Sequence, residues 1–382
     1  MSKLFPNAVM RTRAPYRFDI VGSFLRPDSL KQARRRCACG ECSLEEMHRV
    51  EDREIATLIA KEKAVGLPNV TDGEFRRTWW HLDFLFELLG VELAEAEEYS
   101  TKFQAHMHRP VTLKITGKIE FPNAHPFLAH FKALREEAGG HPVKFTIPSP
   151  SMLHLITCVR TPNPQLIERY AGRNDLLLAD ITAAYVKAVN ALYDAGCRIL
   201  QLDDTSWGEF CSEEKRALYQ AQGVDVDATA RSYVKMLNDI RAAAPADMVL
   251  TMHVCRGNFR STWFSSGDYE PVAEILFGGC NVDGFFLEYD SDRAGSFKPL
   301  RFIKNQQVVL GLVTSKSGEL EDRDAVIGRI KEAAQYVDIN QLCLSPQCGF
   351  ASTEEGNVLT EEEQWKKLAL IRSIVEEVWG NA

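Results

Sequence analysis

The chain has little that would carry it to a membrane or to a nucleic acid. Its longest uninterrupted apolar runs, such as Val308 to Val313, fall far short of the roughly 20 residues that a bilayer-spanning helix needs, so no membrane span is expected. Positive charge is scarce as well. Lys and Arg number 45 against 53 Asp and Glu, for a net charge of -8. That balance argues against a broad nucleic-acid footprint, which requires clustered cations to neutralise phosphates. Met1 to Arg13 lacks the apolar core and small-residue cleavage site of a secretory signal, and a cytoplasmic location is expected. Fixed-period repeats and low-complexity linkers are also missing, which leaves no sign of a second independent domain.

What is present is an ordinary folded composition, 45% hydrophobic and 26% charged over 382 residues, enough for a large core. Ten cysteines in so long a chain read as reduced thiols and metal ligands rather than as a disulfide framework. Apolar, β-branched runs occur at Phe18 to Ser23, Pro68 to Glu74, Val143 to Pro148, Arg198 to Thr205, Met248 to Arg256, Gly284 to Asp290, Val308 to Lys316 and Leu342 to Phe350. Helical patterns separate many of them, among them Leu44 to Ala64, Ala179 to Ala195, Ala228 to Ala243, Asp324 to Tyr336 and Glu361 to Val378. Ser43 with Glu46, and Thr360 with Glu363, have the spacing of capping boxes. Strands alternating with helices predict an α/β fold, a single (β/α)₈ TIM barrel over residues 1–382, with an open doubly wound sheet as the second choice. The polar segment 92–121 breaks the alternation. Val111 to Phe121, with Thr116-Gly117, suggests a hairpin inserted after the second strand as an excursion over the barrel mouth.

In such a barrel the reactive groups sit where strands end. The fifth predicted strand ends in Met252-His253-Val254-Cys255, and its alternation puts His253 and Cys255 on one side. The sixth presents Glu288, and the eighth leads to Cys348. Taken singly, each of these reads as core; His-x-Cys alone is a weak signal. Two thiolates, an imidazole and a carboxylate together suit a tetrahedral Zn²⁺. Trp80 and His81, with Trp79, follow the second strand and can wall a ligand pocket, with core packing as the equal alternative. Cys37, Cys39 and Cys42, with His48 nearby, read as a thiol-rich loop before a capped helix rather than as a second metal site.

At these positions the chain resembles the catalytic domain of the cobalamin-independent methionine synthase family, in the manner of short single-domain members without the duplicated N-terminal barrel. The resemblance runs through Val21-Gly22-Ser23-Phe24-Leu25-Arg26-Pro27, Thr71-Asp72-Gly73-Glu74-Phe75-Arg76-Arg77, Leu202-Asp203-Asp204, His253-x-Cys255, Glu288 and Ser345-Pro346-Gln347-Cys348-Gly349-Phe350. It implies zinc on His253, Cys255, Glu288 and Cys348, and an amino-acid substrate on Ser23, Glu74 and Asp203. Carboxylates at Glu74 and Asp203 suit an ammonium, and the Gly22-Ser23 backbone and hydroxyl suit a carboxylate; the competing reading pairs the two acids with Arg26, Arg76 or Arg77.

The implied activity is that of a 5-methyltetrahydropteroyltriglutamate-homocysteine S-methyltransferase: a zinc-activated thiol, homocysteine, takes a methyl group from methyltetrahydrofolate or another donor and gives methionine. Two departures bear on this. Where the family places a proton-donating histidine near the end of the seventh strand, this chain has Lys316, a poor donor unless its pKa is lowered and an alternative anchor for an anion. Without the N-terminal barrel the methyl donor is left open, and a corrinoid protein partner or a homo-oligomer is compatible with the sequence. The alternatives are a zinc-dependent thiol alkyltransferase of the epoxyalkane:coenzyme M type, with Lys316 and Arg26 binding an anion, and a non-catalytic zinc or thiol-binding protein.

Overall fold

The computed structural model describes residues 4–95, 111–161 and 164–380. Two antiparallel strands, β1 (Leu89–Glu95) and β2 (Val111–Glu120), stand apart from a sheet of six, β3 (Lys144–Pro148), β4 (Ile199–Asp204), β5 (Val249–Val254), β6 (Gly284–Glu288), β7 (Gln307–Val313) and β8 (Leu342–Pro346). The six pair in chain order and all in parallel, as strand-to-strand crossovers through helices require. All six are buried along their whole length, which explains why they read as continuous apolar runs.

Eight strands were expected, and the first two do not form ladders. Phe18 makes a single parallel bridge to Leu344 in β8, and Val70 a single parallel bridge to Val143 before β3. These segments occupy the two remaining positions of the (β/α) architecture. Each bridge carries backbone hydrogen bonds, Asp19 N–H to Leu344 O (3.1 Å) and Val70 N–H to Pro142 O (2.9 Å), and side chains pair several further backbone groups. Ile20 N–H donates to Asp19 Oδ1 (2.8 Å), and Val21 O accepts from Gln201 Nε2 (2.8 Å). Gly22 O accepts from Thr71 Oγ1 (2.8 Å), and Thr71 N–H donates to the buried Glu62 carboxylate (3.1 Å). These side-chain partners meet the pairing that burial demands, and sequence periodicity does not reveal them.

The inserted hairpin also differs in detail. It starts at Leu89 rather than 92, and Thr116-Gly117 lies within β2 instead of forming the turn. A register shift between Leu89 and Val91 brings Gly90 against Gly117. Residues 96–110 lie outside the described residues.

Strand alternation divides the interior in two. Leu200, Leu202, Leu250, Met252 and Val254 point outward and join the main core under the helices, whereas Val21, Phe286, Val309 and Cys343 form a small cluster within the ring. The ring also holds a buried ion pair, Lys144 with Asp19 (3.3 Å), whose ammonium lies 3.8 Å from the Phe286 ring centroid. Helix Asn174–Asp194 is long and apolar enough by composition to cross a membrane, yet it packs on the sheet through Leu177, Ile181 and Tyr185, whose hydroxyl donates to Pro148 O (2.9 Å). Both capping boxes form as expected, on helices Leu44–Val65 and Glu361–Trp379.

Candidate active site

Parallel register aligns the strand ends. Asp203 of β4 lies beside His253 of β5, and Glu288 of β6 beside Gly311 of β7. Inward-facing parity then selects Asp203, His253 and Glu288, while Cys255 and Cys348 follow directly on β5 and β8. The ligand atoms of His253, Cys255, Glu288 and Cys348 all lie within 4.8 Å of one another, and all four residues are buried. Among the described residues, no other group of three or more such side chains converges in this way.

The unpaired atoms show what the cluster suits. His253 Nδ1 lies 3.3 Å from Phe286 O, which fixes the tautomer with the proton on Nδ1, and the buried Nε2 is left without a partner. The sulfurs of Cys255 and Cys348 are 3.7 Å apart, and Gly257 N–H donates to Cys255 Sγ (3.3 Å). The Cys348 thiol is held well below its usual range, because it accepts a hydrogen bond from Cys255 and lies beside His253; Cys255 is correspondingly pushed up. Burial would raise Glu288, but Arg293, Lys316, His253 and Arg256 overcome that and keep it below the ordinary carboxylate value. Two soft sulfurs, one free imidazole nitrogen and an ionised carboxylate fit a borderline-soft divalent ion such as Zn²⁺.

Glu288 is supported from outside the cluster by residues that the sequence did not bring forward. Its Oε1 accepts from Arg256 N–H (3.1 Å) and its Oε2 from Arg293 Nη2 (2.8 Å), which also binds Asp290 (2.8 Å). The Tyr269 hydroxyl accepts from Glu288 N–H (3.0 Å) and donates to Glu288 O (3.2 Å). The visible signal was limited to an arginine five residues beyond the acid.

Beside the cluster is a cavity of about 20 Å³, room for roughly one water. It is lined by Ser23, Glu74, Trp80, Asp203 and Ser352 together with His253, Cys255 and Cys348. Glu74 adopts φ +61°, a costly conformation for a side-chain-bearing residue, within a turn tied by Asp72 Oδ1 (2.9 Å to Glu74 N–H). Its Oε1 accepts from Thr146 Oγ1 (2.9 Å) and faces Arg77 (3.4 Å), while Oε2 is buried and unpartnered. Asp203 Oδ1 accepts from Gln201 Nε2 (2.7 Å). Burial, with the neighbouring Glu74 charge, raises Asp203 to about 7 even though His253 opposes the shift. Gly349 lets the loop after β8 pass Ser23: a Cβ there would lie 1.9 Å from Ser23 Oγ.

The other expected residues fall at the edge. Trp80 is held by its N–H to Ser352 O (3.0 Å), and the Trp79–Thr353 bridge clasps the two loops together. His81 packs at a tilt against Trp80, ring centroids 4.5 Å apart, and has a buried, unpartnered Nδ1, but it does not line the cavity. Arg26 is also absent from the lining, because its guanidinium is committed to the carbonyls of Phe24, Ala351, Glu74 and Arg77. Lys316 Nζ donates to Asn258 Oδ1 (2.7 Å), and Asn258 Nδ2 donates to Gly349 O (2.8 Å) and Ser352 Oγ (3.2 Å), so the lysine is tethered next to the cavity wall.

The same residues are matched by a known family. The Cobalamin-independent synthase, Catalytic domain profile covers residues 19–369, nearly the whole barrel. The chain belongs to this family. Among cobalamin-independent synthases and their relatives, it is 48% identical over 373 residues to the uncharacterized protein YxjH of Bacillus subtilis, covering 96% of each chain. It resembles a Listeria monocytogenes structure assigned as a vitamin-B12 independent methionine synthase at 41% identity and a TM-score of 0.76, over 96% of this chain and 99% of that one. The 5-methyltetrahydropteroyltriglutamate–homocysteine methyltransferase of Corynebacterium glutamicum is more distant, 24% identical over 86% of this chain but only 40% of its own length. A B12-independent methionine synthase from Shewanella sp. W3-18-1, in complex with selenomethionine, shares the fold at 17% identity, with a TM-score of 0.67 over 94% of this chain and 96% of that one.

Proposed function

We propose that this chain is a zinc-dependent methyltransferase that methylates the sulfur of homocysteine to give methionine. The observation that carries the reading is the convergence of His253, Cys255, Glu288 and Cys348, with His253 Nε2 buried and unpaired. Zinc bound there would make the substrate thiol ionise near neutral pH, while the sulfur ligands keep the resulting thiolate electron-rich.

The remaining residues handle the rest of the substrate. The free Oε2 of Glu74 and the carboxylate of Asp203 receive the ammonium, and Ser23 Oγ with neighbouring N–H groups receives the carboxylate. Because the cavity holds about 20 Å³, the amino acid enters when the Trp80–Ser352 clasp shifts, and the clasp then excludes water from the thiolate. The sulfur lone pair forms the new S–CH₃ bond as the donor's methyl–heteroatom bond breaks, and the heteroatom keeps that electron pair. Lys316, fixed by Asn258, places an ammonium where that charge arrives or where an anionic donor docks.

Zinc X-ray absorption with and without homocysteine tests the reading. An added sulfur neighbour, accompanied by methionine formation from a methyl donor, is expected. An unchanged zinc shell in the presence of saturating homocysteine would remove the thiol-activation mechanism.

A further inference from the structure

Three of the cysteines outside the site, Cys37, Cys39 and Cys42, lie where helix Asp28–Ala38 turns into helix Leu44–Val65. The sequence reading treated them as a loop, but Cys37 belongs to the last turn of the first helix. That helix ends by reversal. Cys39 N–H bonds to Arg35 O (3.0 Å), Gly40 N–H to Cys37 O (3.0 Å) and Glu41 N–H to Arg36 O (2.8 Å). Gly40 takes φ +74° with open space around it, the left-handed step that such a helix end needs. The reversal folds the chain back over the helix and leaves Cys42 Sγ 3.6 Å from Ala33 O. Ala33 and Cys37 are four residues apart and share a helix face, so Cys42 Sγ lies over the turn that carries Cys37, within reach of its thiol. Ser43 then caps the next helix and fixes the approach. Cys37 and Cys42 are half-buried, whereas Cys39 is exposed on the turn. Burial and the neighbouring Cys37 push the Cys42 thiol up, and the Arg36 guanidinium, which donates to Glu41 O (3.3 Å), offsets part of that rise with a cation beside the pair.

We propose that Cys37 and Cys42 are a redox-modification site, closing to a reversible disulfide when the protein meets a hydroperoxide. One thiolate sulfur attacks a peroxide oxygen and breaks the O–O bond, giving a sulfenic acid and releasing hydroxide, or alkoxide from an organic peroxide. The second sulfur attacks the sulfenic sulfur and expels hydroxide, which leaves as water with the second thiol's proton. The two thiols together lose two electrons, and the peroxide gains them. The bridge staples the end of the helix whose Arg34 holds the segment around Glu74, through Phe75 O (2.6 Å) and Arg77 O (3.1 Å), while pairing with Glu51 (3.3 Å) and Glu354 (3.4 Å). Oxidation at the surface therefore stiffens the element that supports the acidic side of the cavity.

Peroxide treatment of the full chain, followed by iodoacetamide and trypsin, tests this. Cleavage after Arg36 and Arg49 places Cys37, Cys39 and Cys42 in one peptide. The expected result is a peptide two hydrogens lighter and alkylated once, restored to three alkylations by dithiothreitol. The bridge persists in Cys39→Ser and disappears in Cys42→Ser. Full alkylation of that peptide after peroxide, a bridge between Cys255 and Cys348 alone, or a bridge that survives in Cys42→Ser overturns the proposal.

Discussion

The two sides of the cavity are built from similar polar material and prepared for different guests. From β5 round to β8, His253, Cys255, Glu288 and Cys348 point their donor atoms at one another, and His253 Nε2 has no hydrogen-bond partner. From Ser23 round to β4, Glu74 and Asp203 each keep one oxygen on a protein donor, Thr146 or Gln201, and Glu74 leaves the other oxygen free. The first side collects lone pairs within the bonding distance of one ion. The second keeps its acids partly neutralised, by Arg77 near Glu74 and by a raised proton affinity at Asp203. Acidic residues at barrel strand ends thus acquire different surroundings from where their hydrogen-bond donors stand.

Substitutions can break this division. The largest expected effect is that of Cys348→Ser: zinc content should fall from about one per chain to near none, with methyl transfer lost and circular dichroism unchanged. Zinc retained in full by that variant would remove Cys348 from the metal side. Next, Arg293→Ala should weaken zinc binding by roughly 10- to 100-fold in a chelator competition, because Glu288 loses the cation that orients it; Arg293→Lys should recover part of the loss.

The smallest effect belongs to the acidic side. Asp203→Asn should raise the KM for homocysteine by about tenfold, near 1.5 kcal/mol, since Glu74 remains, while zinc content stays constant. A fall in zinc content would show that the two sides are not separable. The same variant carries a pH signature in the zinc-free protein. Burial raises Asp203 to about 7 in the folded chain, so the folded state holds this proton more tightly than the unfolded one. The stability this provides is fully present below the unfolded carboxylate value of about 3.9 and is lost as pH climbs through about 7. Thermal melts should therefore show Asp203→Asn gaining on the wild type from pH 5 to pH 8.

Much of this was legible in the sequence. The six laddered strands lie where the apolar runs lie, and the His253, Cys255, Glu288 and Cys348 cluster follows from strand ends and side-chain parity. What escaped has a common cause. The first two strands read as apolar runs, but beyond one bridge each their backbone is paired in part by Asp19, Gln201, Thr71 and Glu62, and three of those side chains come from other elements. Arg26 reads as an available cation until the carbonyls that surround it are seen. Arg293 shows only as an arginine five residues beyond Glu288, and Asn258 and Ser352 carry no local pattern, because each acts on a residue brought to it by a different loop.

By itself the sequence determined the alternation of strands and helices, the helix caps and the inventory of thiols, imidazole and carboxylates, since each depends on residues near one another in the chain. Only the tertiary structure decided how closely the four candidate ligands converge, which arginines serve as struts, and that Cys42 folds back over the Cys37 turn. Those outcomes depend on where buried polar atoms find partners, and in a barrel most such partners come from distant segments of the chain.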